Sequence, residues 1–97
     1  MRITYDREKR DATLRERGLD FKDTPEVFAG PQIEQLDERE DYGEERYQTY
    51  GYLGGRMVML AWTPRGKARR IISMRICNAK ERARLRQQFG EDGRDNR

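Results

Sequence analysis

An α+β domain is expected from three observations: capped helical segments open the chain, alternating strands joined by glycine turns follow, and one more capped helix closes it. Ninety-seven residues suffice for one small domain. We place it at 1–90, with 91–97 as a flexible tail. Charged residues make up 40% of the chain and hydrophobic ones 34%, but 21 bases nearly balance 18 acids. Five Tyr, three Phe and one Trp supply core material, so the composition is that of a small folded domain rather than a disordered chain.

Arg2–Tyr5 reads as a short strand. Asp6 is placed to N-cap a helix through Arg17, and Gly18 to end it. Leu19–Phe21 leads to a second helix with Asp23 or Thr24 as cap and Pro25 in its first turn. Gly30-Pro31 stops that helix. Ile33–Leu36 is a short edge strand, and Asp37–Glu44 a polar loop. Arg46–Leu53 and Arg56–Thr63 are strands about the tight turn Gly54-Gly55. Pro64-Arg65-Gly66 makes the next turn, and Ala68–Ile76 completes an antiparallel meander. Asn78 and Glu81 form a capping box that opens a basic helix to Phe89, ended by Gly90. Alternation in the last strand puts Ile72, Met74 and Ile76 toward the helices, and Ser73 and Arg75 on an open face. For Arg56–Thr63 the inner row stays undecided between Val58, Leu60 and Trp62 and the alternate row that contains Met57 and Met59.

Several function classes are excluded. With no histidine and one cysteine, Cys77, the usual zinc sites, an intramolecular disulfide and Ser-His or Cys-His nucleophile pairs all lack their residues. Neither metal nor cofactor is expected. The charged N-terminus does not resemble a signal peptide, and no apolar run approaches the ~20 residues of a spanning helix. The expectation is a cytoplasmic protein with no membrane partner.

Charge is distributed unevenly. Residues 34–46 hold seven acids against Arg39 and Arg46, while residues 56–90 hold ten bases against Glu81 alone. A block of that sign attracts polyanions. Eight of its ten bases are Arg, whose planar fork suits phosphate. The competing reading is a solvated face with the acidic loop folded back across it.

The residues also carry a resemblance. "YDREKRDATLRERGLDF" (Tyr5–Phe21), "EVFAGP" (Glu26–Pro31), "GEERY" (Gly43–Tyr47), "WTPRGKARRIISMR" (Trp62–Arg75) and "KER" (Lys80–Arg82) resemble, in order, the BrnT-type toxins. These are small ribonucleases of bacterial type II toxin–antitoxin systems with a RelE-like fold. The chain departs from their pattern at Thr13, at Glu16-Arg17, where a Lys-His pair is common, and at Leu85. The resemblance implies an endoribonuclease, independent of metal, with RNA and a cognate antitoxin as partners, and operator DNA reached through the antitoxin complex. Internal attack by a 2′-hydroxyl needs a proton acceptor, donors for the phosphorane and a proton for the leaving oxygen. Without histidine, we assign these roles to Arg75, Arg65, Arg70 and Glu45 as catalytic candidates. Lys67, Arg69, Arg46, Trp62 and Lys9 are the RNA-binding candidates, with Trp62 as a stacking platform. The second reading is a non-catalytic nucleic-acid- or antitoxin-binding module.

Overall fold

The computed structural model describes residues 1–90; the expected tail, 91–97, lies outside them. The chain runs β1 (Arg2–Tyr5), α1 (Arg7–Arg17), a 3₁₀ turn (Phe21–Asp23), α2 (Thr24–Ala29), β2 (Ile33–Leu36), β3 (Tyr47–Leu53), β4 (Arg56–Arg65), β5 (Ala68–Ile76) and α3 (Ala79–Phe89). The α+β class holds, with one mixed five-stranded sheet in the order β1-β5-β4-β3-β2. β3, β4 and β5 form the antiparallel meander, and β2 adds antiparallel at the edge.

Local signals set the helix ends. The Asp6 carboxylate accepts from the amides of Glu8 and Lys9, and Gly18 takes the left-handed conformation at φ 70° that only glycine adopts freely. Asn78 and Glu81 make the reciprocal capping box of α3. The β3–β4 hairpin turns on Gly54 and Gly55, both at positive φ as a type I′ turn requires.

Four findings extend or correct these expectations. First, β1, read only as a short strand, pairs in parallel with β5, Thr4 opposite Arg70. Second, the β4–β5 turn is Gly66-Lys67, not Pro64-Arg65-Gly66, since Pro64 and Arg65 continue β4 opposite Arg69 and Ala68. β3 ends its pairing at Tyr47 opposite Trp62, so at Pro64 the strand has a neighbour on one side only, where a missing N–H is tolerated. Third, the register between β4 and β5 shifts at Ala61/Trp62, where Ile72 is the extra residue. The bulge breaks the period of two. Ile71 and Met74 are therefore the fully buried residues, while Ile72 is only half-buried.

Fourth, helices cover both faces of the sheet rather than one. Trp62, Leu60, Val58, Ile71 and Met74 face one cluster with Leu19, Phe21, Val27 and Phe28, from the segments around α2. Tyr50, Met57 and Met59 face the other, with Leu85 of α3 and Cys77. Both rows of β4 are core, which is why its alternation does not name an inner side. α2 approaches β3 so closely that a Cβ at Gly51 would lie 2.7 Å from Val27 Cγ1. A polar relay crosses the first core: the Trp62 indole N–H donates to Thr49 Oγ1 at 2.8 Å, and that hydroxyl donates to Glu34 at 2.9 Å.

Candidate functional site

The acidic loop between β2 and β3 is pinned as a closed excursion. The Asp37 amide donates to the Arg46 carbonyl at 2.7 Å, and the Asp37 carboxylate accepts two bonds from the Arg39 guanidinium, one from the Arg39 amide and one from Tyr42. Arg46 lies over the Tyr42 ring at 4.1 Å. The loop's last residues reach β4: the Thr63 hydroxyl donates to the Glu45 carbonyl. Thr63 stands opposite Arg70 in the ladder, so both lie on the α3 side of the sheet, beyond the part that α3 covers. The acidic loop thus folds back onto part of the basic block.

Where loop, sheet and the first turn of α1 meet, a cavity of about 240 Å³ is lined by Asp6, Lys9, Glu44, Arg46, Thr63, Arg65, Arg70, Ile71 and Ile72. Four cations face two carboxylates. Asp6 is committed to the α1 amides. Glu44 bridges two guanidiniums, accepting from Arg65 Nη1 at 3.0 Å and from Arg46 Nε at 3.3 Å. The Arg65 hydrogen bond, followed by that of Arg46, holds the Glu44 carboxyl below its ordinary value. The guanidinium of Arg70 makes no hydrogen bond or ion pair with a described residue, and neither does the ammonium of Lys9. An anion with several acceptor oxygens fits such a site.

Four of the nine residues singled out from sequence therefore share one cavity: Lys9, Arg46, Arg65 and Arg70. The others lie elsewhere. Glu45 is outside; its carboxylate accepts from the Tyr47 hydroxyl at 3.1 Å, which raises the Tyr47 pKa. Arg75 shares the sheet face of Arg70, since it pairs with Met59, but its guanidinium is held by Glu81 of α3 through bonds of 2.8 and 2.7 Å. Lys67 is exposed in the β4–β5 turn. Arg69 points to the opposite face, its guanidinium 4.3 Å from the Phe28 ring and 4.5 Å from the Trp62 ring. Trp62 is 5% exposed and stacks on Tyr47 at 4.9 Å, so its ring is a core element and not an open platform for a base.

Glu44 is the residue that sequence reasoning passed over in favour of its neighbour. In an irregular loop no period tells which of two adjacent acids turns inward. The available signal was its place two residues before Arg46 in "GEERY". Cys77 is buried, and desolvation pushes its thiol up to about 11, so it is no nucleophile.

The Arg75–Glu81 pair carries a pH dependence. The Arg75 hydrogen bonds lower the Glu81 carboxyl to about 2. Because the folded value lies below the unfolded one, the pair stabilises fully above the unfolded value and is lost as pH falls through the folded one. Stability is expected to decline between about pH 4.5 and 2. Glu81→Gln keeps an N3 partner for the cap but removes the charge, and flattens this decline in urea titrations at successive pH values.

A family model, described as ribonuclease toxin, BrnT, of type II toxin-antitoxin system, matches residues 5–81. Among curated proteins no match is found. The match runs from Tyr5, the last residue of β1, into the first turn of α3, and takes in every residue lining the cavity. The chain belongs to the BrnT ribonuclease toxins of type II toxin–antitoxin systems.

Proposed function

We propose that the protein is a metal-independent endoribonuclease that cleaves RNA in the cavity around Glu44, within a RelE-like domain formed by residues 1–90, and that a cognate antitoxin neutralises it. Membership of the family implies the antitoxin; the RNA site rests on one observation, a carboxylate bridged by Arg46 and Arg65 beside Arg70 and Lys9, which have no ion-pair or hydrogen-bond partner among the described residues. On this reading the scissile phosphate takes the guanidiniums that Glu44 now holds. Sharing them with a phosphate relieves the effect that lowers the Glu44 carboxyl, so the group becomes a better base as substrate binds. Glu44, rather than Glu45, then removes the 2′-hydroxyl proton. The 2′ oxygen bonds to phosphorus, the bond to the 5′ oxygen breaks, and the Lys9 ammonium supplies that oxygen's proton. The products are a 2′,3′-cyclic phosphate and a free 5′-hydroxyl. Arg46 and Arg65, once on the phosphate, and Arg70 stabilise the phosphorane's extra charge. Arg75, farther along the same face, is assigned to the RNA strand flanking the cavity, with Lys67 at the turn. The need for a 2′-hydroxyl restricts the reaction to RNA. The site of action is the cytoplasm, and operator DNA is reached only through the antitoxin complex.

The test is a comparison of two adjacent carboxamides on a defined RNA. Glu44→Gln is expected to slow cleavage by about 10²–10⁴-fold, the usual worth of a general base, while binding RNA more tightly because a competing anion is gone. Glu45→Gln is expected to cleave within a few-fold of the parent, and EDTA to change neither rate. Wild-type cleavage by the Glu44 variant removes this mechanism. Salt-sensitive RNA binding with no cleavage by the parent chain favours the non-catalytic module instead.

A further inference from the structure

A second cavity, of about 410 Å³, lies at the other end of β4 and shares no residue with the first. It is lined by Tyr52, Gly55, Arg56, Met57, Ile76, Arg82 and Arg86. Met57 and Arg65 are eight residues apart on β4, which separates the two sites by about 26 Å of strand. Among the described residues that line it, three carry guanidiniums and none a carboxylate. α3 offers no neutralising acid, because Glu81, its one acidic residue, is spent on Arg75 and on the Asn78 amide.

Three features of the cavity point to its ligand. The Arg82 guanidinium is already positioned, donating to the Cys77 carbonyl at 2.7 Å. The Arg56 side chain is exposed and makes no ion pair with a described residue. The Tyr52 hydroxyl is screened from solvent yet has no hydrogen-bond partner among the described residues, a costly condition that an incoming acceptor would relieve. Between these groups the walls are apolar, made by Tyr52, Met57 and Ile76. A phosphate backbone would answer the cations and leave those walls wet. A peptide with an apolar side chain between carboxylates answers both.

We propose that this cavity docks an acidic segment of the antitoxin, with one apolar side chain seated against Tyr52, Met57 and Ile76 and flanking carboxylates on Arg56 and Arg82. The proposal rests on the antitoxin that family membership implies and is independent of the RNA chemistry assigned above. It places the partner's anchor away from the cavity around Glu44, so the two surfaces are separable by mutation.

The test uses the full chain, ¹⁵N-labelled, titrated with the blocked peptide Glu-Asp-Leu-Phe-Glu-Asp and separately with a 2′-O-methyl RNA oligonucleotide. The peptide is expected to shift amides in 52–57 and 76–86 saturably. Arg56→Glu is expected to bind it about tenfold more weakly, with an unchanged urea midpoint. Arg70→Ala is expected to bind the peptide as the parent does. Absence of saturable shifts in those two segments overturns the proposal, as does equal peptide affinity in Arg56→Glu. RNA shifting the same amides more strongly than the peptide overturns it in favour of an RNA track. Failure of the cleavage reading is seen separately, as no cleavage of an unmodified RNA by the parent chain with the peptide shifts intact.

Discussion

Arg70→Ala is expected to lower RNA cleavage by about 10²–10³-fold, the usual cost of removing one preorganised donor from a developing oxyanion. Folding is expected to survive, because the guanidinium has no ion-pair or hydrogen-bond partner among the described residues whose loss would be felt. RNA binding weakens as well. On a single strand each lost phosphate contact reduces the slope of log affinity against log salt by about 0.7. Arg70→Lys restores the charge but not the fork, and is expected to recover part of the rate. Arg69→Ala is the informative neighbour. Its side chain lies on the other face between Phe28 and Trp62, so this change is expected to lower stability and leave the cleavage rate per folded molecule unaltered. Cleavage by Arg70→Ala at the parent's rate removes the cavity from the mechanism.

Trp62→Ala is expected to cost about 3–5 kcal/mol, a large part of the roughly 5–15 kcal/mol available to a small domain. The indole is packed on Tyr47 and edge-on to Phe28, and bonded to Thr49, so its loss opens a cavity in the main core and strands the Thr49–Glu34 relay. Urea unfolding followed by circular dichroism measures the shift. Trp62→Phe keeps most of the packing and loses the indole donor, at a cost of about 1–3 kcal/mol. A Trp62→Ala protein that unfolds at the parent's urea concentration but no longer binds RNA would return this ring to the nucleic-acid surface.

The difference between Trp62 and Arg70 shows how far the sequence could be read. Caps and hairpin glycines are local devices, so Asp6, Gly18, Asn78, Glu81 and the Gly54-Gly55 turn were legible from a few neighbouring residues. The parallel pairing of β1 with β5 joins residues more than sixty positions apart, and no local pattern encodes it. The bulge at Ile72 was hidden because two adjacent isoleucines leave the apolar run unbroken whichever of them turns inward. α3 has only two large apolar anchors, Leu85 and Phe89, and these do not by themselves name the face it covers. It lies on the second face because Met57, Met59 and Tyr50 give that face an apolar row of its own. The cations of the site were legible from charge and residue type. Their grouping was not, because it depends on the bulge, the loop closure at Asp37 and the β1 pairing together.

That pairing bears on when the toxin becomes dangerous to the cell that makes it. Lys9 is synthesised well before Arg65 and Arg70, and among the described residues β1 pairs only with β5. Contacts of such long sequence separation form late and slowly. A nascent or truncated chain ending before β5 carries Lys9, Glu44 and Arg46 without the strand that gathers them. On the proposed mechanism, the wide spacing of the cavity's residues makes catalytic competence wait for the synthesis of β5.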